Sequence, residues 1–138
     1  MSGTDVMPAA IRHWHAVAAA RDVAGLETLL AADAVFESPV VHTPQVGRAI
    51  VTRYLAAAFQ VLNNVGFHYP NQWFGERSAV LEFATEIDGI AVNGIDMISW
   101  DDQDRITHFK VMIRPLKAIN LVHEKMRETL MAMGPRPA

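Results

Sequence analysis

Not one cysteine occurs in the 138 residues, which removes disulfides, thiolate nucleophiles and thiolate metal ligands from consideration. A cysteine-free chain fits a reducing compartment, so a cytoplasmic location is expected. Charge of a single sign is also lacking: 12 basic residues face 15 acidic ones, for a formal charge of -3 and a pI near 6.0. That balance supplies neither the basic footprint of a nucleic-acid binder nor a polybasic membrane surface. Long apolar runs are missing as well, although 51% of the residues are hydrophobic. Each run is cut by Arg, Asp or His before it nears the ~18 residues of a spanning helix. The start, Met1-Ser2-Gly3-Thr4-Asp5, has no basic stretch leading into an apolar one, so no secretion signal is read. What remains is one domain, residues 1–138, of a size that buries roughly two-thirds of its unfolded surface. Small neutral or apolar ligands suit it best.

The first half of the chain has helical periodicity. Thr4 or Asp5 is placed to cap a helix whose Ile11, Trp14, Val17 and Ala18 form one stripe. Asp22 caps a second, short helix running through Leu26, Leu29 and Leu30, and Ala34 to Ser38 reads as a brief strand stopped by Pro39. Val40 to Val46 is a loop, and Gly47 opens a third helix from Arg48 to Leu62. After Asn63-Asn64 the texture changes to strands: Val65 to Phe74, Ala79 to Ile87, Ile90 to Trp100 and Ile106 to Arg114. Asp88-Gly89 predicts a two-residue hairpin. Alternation sets Leu81, Phe83, Thr85 and Ile87 on one face, and Phe109, Val111 and Ile113 opposite His108, Lys110 and Met112. Pro115 starts a last helix with a Leu116, Ile119, Val122, Met126, Leu130 and Met133 stripe, ended by Gly134-Pro135. Helices followed by a curved antiparallel sheet make an α+β layout, with the sheet's apolar face folded over the helices and room for a pocket between them.

One residue breaks the apolar pattern. Asp96 stands in the strand Asn93-Gly94-Ile95-Asp96-Met97-Ile98-Ser99-Trp100, directly before the acidic turn Asp101-Asp102-Gln103-Asp104. A carboxylate between Ile, Met and Trp is poorly solvated, so it must be hydrogen-bonded, paired, or protonated with a raised pKa. Asp96 is therefore either a structural acid that fixes its strand or the polar group of a site.

The order of His13-Trp14-His15 through Arg21-Asp22, Phe36-Glu37-Ser38-Pro39, Gly47-Arg48, Gly94-Ile95-Asp96, Asp104-Arg105-Ile106 and Arg114-Pro115 resembles the nuclear transport factor 2-like superfamily, in its SnoaL-like branch of polyketide cyclases and ketosteroid isomerases. The resemblance runs from about residue 8 to 118. It implies a cone of curved sheet wrapped around three helices, plus a C-terminal helix, an internal ligand cavity, and homodimers formed through the outer sheet face. In the isomerase mechanism a base works with a tyrosine and a protonated aspartic acid in an oxyanion hole. By resemblance Asp96 takes the place of that acid. The base falls on Ser38, the tyrosine on Trp14, and its supporting tyrosines on Leu30 and Leu55. Serine lacks basicity at neutral pH and indole cannot accept a proton, so competent ketosteroid isomerisation is not expected. Epoxide hydrolysis of the limonene type is not expected either, since its aspartates fall near Glu86 and Val111 with no arginine beside Glu86.

Asp96 and the loop histidine His42 are the candidate catalytic residues. Trp14, Phe36, Ser38, Tyr54, Phe59, Trp73, Phe83, Phe109, Val111 and Ile113 are the candidate pocket wall, with Tyr54 and Trp73 favoured for their polar handles. Aromatic residues at these spacings also serve as plain core. His13 and His15 point to opposite helix faces, and His68, His108 and His123 lie on different elements, so no metal site and no cofactor is expected. Glu82, Glu86 and Lys110 are expected on the outer face in cross-strand pairs or a dimer contact with Met112, and Arg114 at the strand-to-helix junction. The expected function is to bind, and to isomerise, cyclise or dehydrate, a small hydrophobic carbonyl compound with Asp96 as buried acid. The alternatives are a non-catalytic ligand-binding module and a protein-interaction domain whose cavity is filled by its own side chains.

Overall fold

The computed structural model describes residues 7–135. Four helices, α1 (Ala9–Ala20), α2 (Val23–Leu29), α3 (Arg48–Leu62) and α4 (Leu116–Ala132), pack with strands β1 (Leu30–Glu37), β2 (Gln45–Val46), β3 (His68–Phe74), β4 (Ser78–Ile87), β5 (Ile90–Trp100) and β6 (Ile106–Arg114). The strands form one sheet in the order β2-β1-β6-β5-β4-β3. All neighbours are antiparallel except β1 and β6, which run parallel.

The expected α1 stripe is buried: Ile11, Trp14, Val17 and Ala18 face the core. Its expected caps, Thr4 and Asp5, lie outside the described residues, and Pro8 occupies the N-cap position. At α2 the Asp22 side chain accepts the Gly25 amide, as an N-cap aspartate does. The structure ends this helix one residue early and starts β1 at Leu30 instead of Ala34. Leu30 pairs with Ile106, but the register against β6 shifts between Leu30 and Val35, so the period-two pattern of a strand is broken across Ala31 and Ala32. Val46 of the expected loop pairs with Val35. The strand expected from Val65 begins at His68, because the Asn64 side chain accepts the Gly66 amide and its carbonyl accepts the Phe67 amide, forming a turn first.

The β4–β5 hairpin fits its sequence closely. Asp88 and Gly89 have φ of 51° and 79°, both positive as a two-residue primed turn requires. Ile87 pairs with Ile90, and the ladder continues to Ser78 opposite Ser99. Alternation then buries Leu81, Phe83, Thr85 and Ile87 on β4 and Val92, Asp96 and Ile98 on β5. Glycine is needed at position 94: a Cβ there would stand 2.4 Å from the Met112 carbonyl oxygen and 2.5 Å from Phe83 Cζ.

Helix α4 differs most from expectation. Its buried residues are Ala118 and Val122, while Leu116 and Met133 at the ends of the expected stripe are exposed. Two contacts fix the helix. Lys125 pairs with Asp88 of the hairpin at 3.1 Å, and Arg53 of α3 donates to the Leu130, Gly134 and Pro135 carbonyls at 2.7, 2.5 and 3.1 Å. The Leu130 carbonyl lies in the last turn of α4, where a cation is favoured, and the other two follow the helix end.

On the outer sheet face Lys110 pairs with Glu37, and Glu82 accepts from the Asn71 and Asn93 amides rather than from a basic partner. Arg114 donates to the Asn93 side-chain oxygen at 3.5 Å. Trp73, Met97 and Met112 are exposed.

Candidate functional site

A cavity of about 230 Å³ lies between the inner sheet face and the helices. Its wall combines Trp14 of α1, Tyr54 and Phe59 of α3, Phe36 of β1, Phe83, Asp96, Phe109, Val111 and Ile113 of the meander, and Val122, His123, Met126, Arg127 and Leu130 of α4. Ser38 to Val41 overhang one side. The rings brace one another: Trp14 and Phe109 centroids are 4.8 Å apart, Trp14 and Phe59 5.7 Å, and Phe36 stacks on Tyr54 at 5.6 Å. Offset and tilted contacts of this kind stabilise aromatic clusters beyond simple area burial.

Asp96 lies on the cavity floor with 6% of its surface accessible. The Tyr69 hydroxyl donates to its Oδ2 at 3.2 Å, and the Trp14 indole N–H donates to the Tyr69 oxygen at 3.1 Å. Oδ1 has no hydrogen-bond partner among the described residues. Burial pushes the Asp96 pKa from 3.8 up to about 7, against the Tyr69 hydrogen bond, which lowers it. Burial also pushes the Tyr69 phenol well above its ordinary value, helped by the neighbouring Asp96 charge. Tyr69 therefore stays a neutral donor whose single proton is spent on Oδ2. The acid proton of Asp96, when present, is left to Oδ1.

Of the expected wall, Trp14, Phe36, Ser38, Tyr54, Phe59, Phe83, Phe109, Val111 and Ile113 are brought together around Asp96. Trp73 is not; it is 56% exposed on the outer face. The reason is a register break in β3 between His68 and Asn71, across Pro70. Tyr69 points inward, the break flips the parity, and Gln72 and Phe74 then face the core side while Trp73 faces away. His42 is exposed and outside the wall. The Ser38 hydroxyl accepts the Val40 and Val41 amides at 3.2 and 2.8 Å, a tight turn that hangs those two valines over the cavity and leaves His42 in solvent.

Tyr69, His123 and Arg127 are site residues that sequence reasoning passed over. Tyr69 is one of only two tyrosines, and Pro70 directly after it was the signal that strand parity would change there. Among the described residues no three potential metal ligands cluster, and no helix is long and apolar enough to cross a membrane.

This α+β arrangement of one sheet and four helices is that of cystatin-like and nuclear transport factor 2-like proteins. The SnoaL-like domain family matches residues 11–109, and the chain belongs to that family. A steroid delta-isomerase from Pseudomonas aeruginosa is 38% identical, with 91% of each chain covered and a TM-score of 0.85. An uncharacterised bacterial protein with a cystatin-like fold from Silicibacter pomeroyi is 26% identical over 91% of this chain and 87% of its own, with a TM-score of 0.84. A hypothetical protein with a ketosteroid isomerase-like fold from Catenulispora acidiphila, at 18% identity, 83% and 91% coverage and a TM-score of 0.62, shares the fold. Among curated proteins none matches.

Proposed function

We propose that the cavity binds a small hydrophobic carbonyl compound and that Asp96, through Oδ1, donates a hydrogen bond to the carbonyl and exchanges its proton during isomerisation, cyclisation or dehydration. One observation carries this reading: a buried acid, held by the Trp14–Tyr69 chain and with one oxygen unpartnered among the described residues, lines a mostly apolar cavity. An acid with a pKa near 7 is suited to give and take a proton at neutral pH. The description of the Pseudomonas protein as a steroid delta-isomerase supports carbonyl proton transfer as the reaction class. Steroid isomerisation itself is not adopted. Asp96 is the only carboxylate in the described wall, and Ser38, where the base would fall, spends its hydroxyl on its own loop. The cavity is also smaller than the ~300 Å³ at which ligand sites ordinarily begin, which favours a compact ligand or one that projects from the mouth.

The lack of a second base favours a second reading, a ligand-binding module without chemistry. Titrating a panel of hydrophobic ketones and enones by calorimetry while following their conversion separates the two. Conversion that disappears in Asp96→Asn supports the first reading, binding without conversion supports the second, and conversion unchanged in that variant removes Asp96 from the mechanism. We also propose a homodimer through the outer sheet face, where Trp73, Met97 and Met112 are exposed; a monomer by light scattering would rule it out.

A further inference from the structure

The wall of the cavity is chemically two-ended. Its floor carries Asp96, and its solvent edge carries two basic side chains, His123 and Arg127, four residues apart on α4 and therefore on one face with Met126 and Leu130. Both are exposed while lining the cavity, which puts them at its mouth. Most other polar groups of the wall are already committed: Trp14 to Tyr69, the Ser38 hydroxyl to loop amides, and the Asn63 side-chain amide to the Ala18 carbonyl. His123 has no hydrogen-bond or ion-pair partner among the described residues. Arg127 pairs only with Glu124, at 2.8 Å, and that pair is more than half exposed on both sides. An exposed pair of this type is worth little and leaves most of the five guanidinium donors unspent.

We infer that the ligand carries an anionic group at the end opposite its carbonyl, held at the mouth by His123 and Arg127, so that the substrate class is a small hydrophobic oxo acid. The inference rests on the reading of Asp96 as the carbonyl-binding acid. An anion seated at the floor would face the Asp96 carboxyl, whereas at the mouth it meets two donors, one of them shared with the exposed Glu124 carboxylate outside the wall. Charge thus sets the direction of entry, apolar and carbonyl end first.

The test uses a matched pair, 4-acetylbenzoate and 4-acetylbenzamide, titrated calorimetrically at pH 6 in low and high salt. In the wild-type protein the carboxylate should bind roughly three- to ten-fold more tightly than the amide, with the advantage shrinking in high salt. The double variant H123Q/R127Q, altered only at exposed positions and checked for an unchanged melting temperature, should close the gap between the two compounds. Equal affinities in wild type, or a gap that survives in the double variant, overturns the inference. A gap that depends on His123 and Arg127 while binding ignores Asp96→Asn overturns the carbonyl end alone and upholds the anionic end. Failure of both compounds to bind overturns both.

Discussion

Tyr69 donates to Asp96 over 3.2 Å while its own oxygen accepts from Trp14 over 3.1 Å, so one hydroxyl ties α1, β3 and β5 together beneath the cavity. Buried polar groups are ordinarily satisfied, and the Trp14–Tyr69–Asp96 series leaves one oxygen of the acid without a partner among the described residues.

Asp96 should make the protein less stable as pH rises. Its folded pKa, about 7, lies above the value of 3.8 for an unperturbed aspartic acid. Below pH 4 both states hold the proton and nothing is lost. Between 4 and 7 the unfolded chain releases it while the folded chain keeps it, so stability falls, and above 7 the full penalty is present. A shift of this size corresponds to a penalty on the order of 4 kcal/mol. Urea unfolding of wild type and Asp96→Asn from pH 4.5 to 8.5 should show the variant gaining relative stability with pH. A flat difference would show that Asp96 ionises normally.

Tyr69→Phe removes the donor to Oδ2 and strands the Trp14 indole N–H. Leaving buried groups unpaired should cost roughly 1–3 kcal/mol in denaturant unfolding. Because the Tyr69 hydrogen bond lowers the Asp96 pKa, its loss should move the midpoint of the pH-dependent stability difference further above 7. A midpoint shifted downward would contradict the assigned direction of that bond.

Gly94→Ala should destabilise by roughly 1–3 kcal/mol through overpacking. The added Cβ meets both the Phe83 ring and the Met112 carbonyl. A second change, Phe83→Leu, relieves the ring but not the backbone, so thermal unfolding of the double variant should show incomplete recovery relative to Phe83→Leu alone. Full additivity would mean that the two residues do not press on each other.

Arg53→Ala should loosen the end of α4. Its guanidinium donates to three carbonyls there, including that of Leu130, whose side chain lines the cavity. Amide exchange should accelerate selectively in the last turns of α4 and leave the β4–β5 hairpin protected. Uniform acceleration would point to global destabilisation instead.

Much of this was legible residue by residue. Alternation at Leu81, Phe83 and Phe109 depends only on local period, and it correctly gave the inner face. Asp96 stood out because a charge between apolar neighbours is conspicuous in one dimension. Trp73 was expected in the wall, but strand parity carries only as far as the register does, and the break beside Pro70 is a pairing event between two strands. His42 was a candidate because of its place in the loop, but the Ser38 turn decided which loop residues line the cavity.

The amino-acid order by itself determined the helices and strands, the tight turn at Asp88-Gly89 and the presence of one acid on an apolar face, since each depends on neighbours within a few residues. Only the tertiary structure decided that Tyr69 and Trp14 would chain onto that acid, that β1 would pair in parallel with β6, and that His123 and Arg127 would rim the cavity. Those outcomes join residues tens of positions apart, and their energies arise only when burial removes the water that would otherwise satisfy each group separately.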